Sequence, residues 1–439
     1  MYLFVVLSRA LLYIYCMKRI NFSFILFLTA LLLSVCNDYN GFLSDPAPAS
    51  PPGGGYYGGD GDYGGWGDRG DDGGENGGGQ NKPGSGQITC GEWSDIKNYD
   101  YYLDLFNTIE DTDAEESQRR NTFNEFIEYF GFETRYMFTV QAVYDGQPLG
   151  DAVVELYDSN QDLLFTAKTD ARGNAFMFPP YDLTEENITV KAKSGTYETV
   201  ESFACIQNNM LITLDGRAEK QSVLDLMFVI DTTGSMGDEL RYLKSEITDV
   251  ISTISDSNPN YIINLALLFY RDIGDEYVTR YFDFTTNIAA QQQNLARQSA
   301  NGGGDFPEAA DKALEEAVAK NWNNQHATRL IFHVCDAPPH SDQESQTRYF
   351  NAIAEAARKG IRIIPVASSG IDYAAEYLLR QEALMTGGTY IFLTDDSGIG
   401  GSHLQPTVGE FTVEYLNDCM VRVVNEYLTG IETDPVPYY

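Results

Sequence analysis

Three short clusters in the second half of the chain hold side chains suited to chemistry. Asp231-Thr232-Thr233-Gly234-Ser235 spaces one carboxylate and two hydroxyls at alternate positions. Gly302-Gly303-Gly304-Asp305-Phe306-Pro307-Glu308 follows three glycines with two acids. Asp336-Ala337-Pro338-Pro339-His340 sets an acid and an imidazole on either side of a stiff Pro-Pro pair. Carboxylates and hydroxyls that converge make a hard-oxygen site, suited to Mg²⁺, Mn²⁺ or Ca²⁺. Taken singly, the same residues would only cap helices, Asp231 and Ser235 near one start and Asp305 near another. Three loops of one chemistry favour a site over three caps.

Each cluster falls where an element must end. The run 224–230 is apolar and stops at Asp231, as a strand buried on both faces should. A helix follows, with Leu240, Leu243, Ile247, Val250, Ile251 and Ile254 on one face. Further strands are expected at 262–269, 329–335, 361–366 and 389–393. Helices are expected at 307–320, 345–358, 373–383 and 408–428. Strands alternating with helices predict an α/β doubly wound parallel sheet over 222–430. Its ligand site lies beyond the carboxyl ends of the strands.

Asp231-x-Thr233-x-Ser235 resembles the metal-ion-dependent adhesion site of von Willebrand factor A domains, whose pattern is Asp-x-Ser-x-Ser. In that family a Thr on a second loop and an Asp after the fourth strand complete the site. The resemblance spans 222–430 and implies a Rossmann-like sheet. It also implies a divalent cation, Mg²⁺ or alternatively Ca²⁺ or Mn²⁺, held by Asp231, Thr233, Ser235, Asp305 and Asp336. Thr233 keeps the hydroxyl of the family's Ser, and Asp336 matches the last acid. Asp305 falls where the Thr is expected and adds negative charge, so the ion should depend less on an acid supplied by a ligand. An open position on the ion implies a protein or matrix partner that presents a Glu or Asp. Movement of the last helix, 408–428, can accompany binding in the family.

Several nearby residues keep two readings. Asp272, in Tyr270-Arg271-Asp272, either supports the ion from one layer out or makes a local salt bridge. His340 either touches the ligand or stabilises its loop. His333 lies inside a strand and reads as core, and Asp395-Asp396 reads as a solvated turn.

Upstream, the period changes. Phe138, Val140 and Ala142, and later Ile188, Val190 and Ala192, alternate with polar residues, which predicts half-buried antiparallel sheet over 134–218. Gly146-Gln147-Pro148-Leu149-Gly150-Asp151-Ala152-Val153-Val154 and Thr169-Asp170-Ala171-Arg172-Gly173-Asn174-Ala175 resemble carboxypeptidase-regulatory-like and collagen-adhesin B-type modules. That likeness implies a smaller all-β, Ig-like sandwich serving as a spacer. Residues 89–133 are expected to be a helical linker, with Phe123, Phe126, Ile127 and Phe130 at helical spacing. Residues 431–439 form a tail. Cys90 and Cys205 flank the sandwich and can pair in an oxidising compartment. Cys335 and Cys419 read as buried thiols, with a bridge between them left open.

The first 36 residues contain no acid. From Met17 the order is Lys18-Arg19, an apolar run over 24–35 and Cys36, a signal-peptide pattern with Met17 as the expected start. Leu33-Ser34-Val35-Cys36 resembles a bacterial lipobox, which implies lipidation of Cys36 and an outer-membrane or cell-surface location. An ordinary signal peptide with a chance Cys is the alternative. Half of residues 53–86 are Gly, so 37–88 read as a disordered Gly/Asp-rich tether of roughly 40 Å.

Composition narrows the function. The 439 residues carry 29 Lys+Arg against 64 Asp+Glu, a formal charge of −35. Nucleic-acid binding is disfavoured, because phosphate contacts need Lys and Arg. Docking on an anionic membrane through protein charge is disfavoured too, so the implied N-terminal lipid is the only membrane contact expected. Walker, Gly-x-Ser-x-Gly, His-Glu-x-x-His and Cys-x-x-Cys patterns are absent, and four histidines lack metal-pair spacing. The sequence therefore points to a non-enzymatic, exported and tethered binding protein with no catalytic residues. An accessory subunit of an envelope enzyme is the second reading, and metal-assisted hydrolysis the third.

Overall fold

A computed structural model describes residues 85–107, 123–127, 129–215, 222–304, 306–324 and 326–438. All of them lie in one unit, Gly79–Tyr439. The expected export signal with Cys36, most of the tether, and Asp305 lie outside the described residues.

The chain enters through β1 (Thr89–Trp93) and α1 (Tyr99–Asp104). Eight strands follow: β2 (Phe138–Tyr144), β3 (Gln147–Pro148), β4 (Val153–Tyr157), β5 (Leu163–Lys168), β6 (Asn174–Met177), β7 (Asn187–Ser194), β8 (Tyr197–Ala204) and β9 (Asn209–Thr213). The α/β region then runs β10 (Val223–Asp231), α2 (Gly237–Ser257), β11 (Ile262–Tyr270), β12 (Thr279–Thr285), α3 (Ile288–Ala296) and α4 (Ala310–Ala319). It continues with β13 (Ala327–Cys335), α5 (Gln343–Lys359), β14 (Ile361–Ala367), α6 (Tyr373–Thr386), β15 (Tyr390–Leu393), β16 (Glu414–Tyr415) and α7 (Leu416–Thr429).

The α/β sheet has eight strands in the order β12-β11-β10-β13-β14-β15-β1-β16. Its middle is parallel, with Ile230 opposite Phe269 on one side and Val334 on the other. Strand β10 is buried on both faces from Leu224 to Ile230 and is apolar there except for Asp225. On one face α2 seats Leu240, Leu243, Ile247, Val250, Ile251 and Ile254. Each such side chain contributes about 1.5–3 kcal/mol by leaving water. Helices α5 and α6 start on Asp342 and Asp372, whose carboxylates accept N-terminal amides. They end on Gly360 and Gly387 in the left-handed region.

The sheet is mixed rather than wholly parallel: β12, β1 and β16 run antiparallel to their neighbours. Residues 89–93, expected within a helical linker, instead form β1, between β15 and β16. The physical reason is long-range: Cys90 pairs opposite Leu393 and Glu414, partners a sequence window cannot see. The Glu246 carboxylate fixes the approach, accepting the amides of Gly86, Gln87 and Ile88 at 2.8, 2.8 and 3.2 Å. The last helix begins at Leu416 rather than 408, because Glu414 and Tyr415 are spent on pairing with β1. Residues after β1 do pack on the α/β region. Phe123 and Phe130 lie against Tyr377, and Asp95 pairs with the buried guanidinium of Arg380.

Residues 138–213 form two four-stranded sheets, β3-β2-β6 with β9 beside β2, and β5-β4-β7-β8. Phe138, Val140, Val154, Leu156, Val190 and Ile212 share one apolar cluster between them. Asp151 joins this region to the amino ends of the α/β strands. It takes Arg329 in two hydrogen bonds of 2.8 and 3.2 Å, Lys168 at 3.1 Å and the His326 amide at 2.8 Å.

The described cysteines are free thiols. Cys90 and Cys205 do not pair: Cys90 belongs to the cluster under α7, whereas Cys205 lies in the core of the two sheets. Cys90 sits instead beside Cys419, whose thiol is pushed well up by that neighbour and by burial. Cys335 and Cys419 lie in separate apolar clusters. Among the described residues no helix is long and apolar enough to cross a membrane.

Candidate metal centre

Strand β10 delivers Asp231 to the carboxyl end of the sheet, fully buried. The chain turns there through a short 3-10 segment, Gly234–Met236, before α2 begins. That turn folds Thr233 back onto Asp231. Asp231 Oδ1 accepts from the Thr233 amide at 2.8 Å and from its hydroxyl at 2.7 Å. Thr233 Oγ1 lies 3.2 Å from Ser235 Oγ, and Ser235 in turn lies next to Asp336, at the end of β13, and lowers its pKa. Four expected ligands therefore meet: Asp231, Thr233, Ser235 and Asp336.

A second loop closes the site. The Gly234 amide donates to Gly302 O at 3.0 Å, and the Asn301 amide donates to Thr232 O at 3.0 Å. Gly303 adopts φ 72°, and a Cβ there would come within 2.9 Å of Glu308 Oε1 and 3.2 Å of Thr233 Cβ. Only glycine passes between those two groups. Arg271 laces the loops together from behind, donating to Thr232 O at 3.1 Å and to Ser299 O at 2.9 Å.

The carboxylates are left incomplete. Asp231 Oδ2, Asp336 Oδ1 and Glu308 Oε2 are buried without a hydrogen-bond partner. Burial, with Asp336 nearby, lifts Asp231 to about 7. Burial likewise lifts Asp336 to about 6, against the pull of the neighbouring Ser235. Glu308 rises to about 9 through burial and the charges of Asp231, Asp272, Asp336 and Asp275. Orphaned oxygens beside two hydroxyls fit a hard cation, which would meet the acceptors that nothing in the chain satisfies. Among the described residues no three His, Cys, Asp or Glu side chains converge as a ligating group. The donor set is thus two acids and two hydroxyls.

The other expected residues sit at the rim. His340 Nε2 and Asp272 Oδ1 lie 2.6 Å apart, so each serves as the other's partner across two loops. His333 is core, between Glu382 and the Tyr270 hydroxyl. Two groups escaped sequence reasoning. Glu308, in the quoted Gly-Gly-Gly-Asp-Phe-Pro-Glu run, holds its carboxylate inward because its backbone bridges to Pro339. Glu239, in the first turn of α2, is buried next to Asp336, accepts the Ser369 amide at 3.0 Å and lies 3.4 Å from His403. The proline before Glu308 was a usable signal. Glu239 offered none.

A parallel-centred sheet with a hydroxyl-acid cradle at its carboxyl end defines the class, and the sequence agrees. Residues 225–394 match the von Willebrand factor A domain. A stretch of 135 residues is 30% identical to an ariadne-like RING finger protein of Acanthamoeba polyphaga mimivirus, covering 31% of this chain and 13% of that one. Another, of 162 residues, is 25% identical to the alpha-protein kinase vwkA of Dictyostelium discoideum, covering 36% and 26%. The chain thus spans about an eighth and a quarter of these relatives. The crystal structure of the conserved hypothetical protein BatB from Bacteroides thetaiotaomicron is similar at 15% identity and TM-score 0.30, covering 38% of this chain and 89% of that one.

Proposed function

We propose that the protein is a binding module: exported, tethered by its N-terminal segment, and holding a protein or matrix ligand through a divalent cation. The orphaned Asp231 Oδ2 and Asp336 Oδ1 beside the Thr233 and Ser235 hydroxyls carry this reading. Asp231, Thr233, Ser235 and Asp336 would hold Mg²⁺, Ca²⁺ or Mn²⁺, and Asp305 belongs to the same proposal through its sequence position. The ion would supply a Lewis-acidic contact for a partner oxygen. The chain's own residues do the rest: Arg271 fixes the loops, Gly303 leaves room, and Asp272 with His340 shapes the rim. No catalytic role is assigned. In this reading the two-sheet region is an Ig-like spacer and Cys36 the lipidated residue.

Titration calorimetry with Mg²⁺ and Mn²⁺ tests the cation. One equivalent should bind the full chain, and Asp231→Ala should remove it. Equal heats from both proteins would sink the proposal.

An accessory role in an assembly is the second reading. It draws on the two relatives, in which the similar stretch is a minor part of a much longer protein. Co-purification with an envelope enzyme, surviving EDTA, would favour it over cation-dependent adhesion.

A further inference from the structure

The Glu308 carboxylate is the unexplained group of this site. The residue is 3% exposed, and its Oε2 has no partner. Its other oxygen abuts Gly303 on the side where Thr233 also lies. The backbone holds it there, since the Glu308 amide donates to Pro338 O at 3.0 Å in the loop that follows Asp336. Two independent strand ends therefore fix the position of this acid. Asp231, Asp272, Asp275 and Asp336 all act on it electrostatically. Among these, Asp272 has His340 and Asp275 has the Gly303 amide, whereas Glu308 Oε2 has nothing. An acid buried among acids without a donor is costly to ionise unless a cation faces it.

We propose that Glu308 is a supporting carboxylate behind the cation site, adding negative charge from within the chain so that the site loads metal before any partner arrives. The inference rests on the cation reading above and deepens it. Asp231 and Asp336 neutralise a divalent ion between them. A third inward acid makes the site more negative than such an ion requires. The partner's contact group is then a neutral oxygen, because the acid that a ligand would bring is already supplied. Highly charged ions should gain most, since the attraction of one extra carboxylate scales with the charge of the ion.

Metal alone is the probe. Mn²⁺ and Tb³⁺ are titrated into the full chain and into Asp231→Ala, Glu308→Gln and Glu308→Asp, with binding read by calorimetry and by terbium luminescence. Wild type should bind both ions without a partner and favour Tb³⁺. Glu308→Gln should weaken Mn²⁺ by about 10–100-fold, as loss of a supporting group around a metal does, and Tb³⁺ by more. Glu308→Asp keeps the charge and should keep the Tb³⁺ preference. Equal weakening of both ions by Glu308→Gln, no weakening at all, or a lost preference in Glu308→Asp would each overturn the inference while leaving the site intact. Indifference of wild type to both ions, or binding that survives Asp231→Ala, would instead remove the cation site itself.

Discussion

Strand β10 carries a buried acid at each end, and the two are treated differently. Asp225, near the amino end, accepts the Asn323 amide at 2.6 Å and the side-chain amides of Asn323 and Asn264 at 2.8 and 2.9 Å. Asp151, beside it in space, is wrapped by Arg329, Lys168 and a backbone amide. At the carboxyl end Asp231, Asp336 and Glu308 each keep an oxygen with no donor. Burial of an acid is therefore no mark of a site in this protein. What separates the two ends is whether the chain supplies the donors. The amino end is finished and joins two regions of the fold, whereas the carboxyl end keeps acid oxygens to which the chain donates nothing.

The largest test of this contrast removes a donor from the finished end. Arg329→Met should destabilise the fold by about 3 kcal/mol, because Asp151 loses two charge-assisted bonds and keeps only Lys168 and the His326 amide. Chemical denaturation should show it, with Mg²⁺ affinity of the folded protein unchanged. At the unfinished end the sign should reverse. Asp231→Asn should stabilise the metal-free protein by about 1–3 kcal/mol, having removed an unsatisfied buried charge. In saturating Mg²⁺ the order should cross, with wild type the more stable. A destabilised metal-free Asp231→Asn protein would mean that both ends are built alike.

The pH dependence follows from the same oxygens. Folding lifts Asp231 to about 7 and Asp336 to about 6, so the metal-free native state retains protons that the unfolded chain has released. Its stability should fall as pH rises from about 4 towards 7, by up to about 1.4 kcal/mol per pH unit for each retained proton. Saturating Mg²⁺ should flatten or invert that slope, and metal titrations near pH 6 should release protons. Urea midpoints at pH 5 and 7.5, with and without the ion, read both effects. The smallest expected change is Gly303→Ala, costing about 1–2 kcal/mol for a left-handed alanine. It should also weaken the ion several-fold by pushing on Glu308, and an unaltered metal isotherm would show that the Gly303 gap does not matter.

Much of the cradle was legible because it is local. Asp231, Thr233 and Ser235 are separated by single residues, and β10 announces itself by burial on both faces. Asp336 follows from the same logic on β13. Glu308 was visible as a letter but not as a direction. Its inward aim depends on a bridge to Pro339, thirty-one residues on. Strand β1 was illegible for the same reason on a larger scale: five residues with no clear period find partners about three hundred positions away. The pairing of Cys90 failed with it, since a residue placed in the wrong element acquires the wrong neighbours.

The position of β1 also decides where mechanical load goes. The two-sheet region is a loop inserted between β1 and β10, two strands of a single sheet, rather than a link in series. A pull on the chain ahead of residue 86 meets the Glu246 clamp and then the hydrogen bonds of β1 to β15 and β16. Those bonds lie across the strand and stand ahead of the two sheets along the chain. Force from that side thus reaches the α/β region without stretching the two sheets, which hang beside the load path.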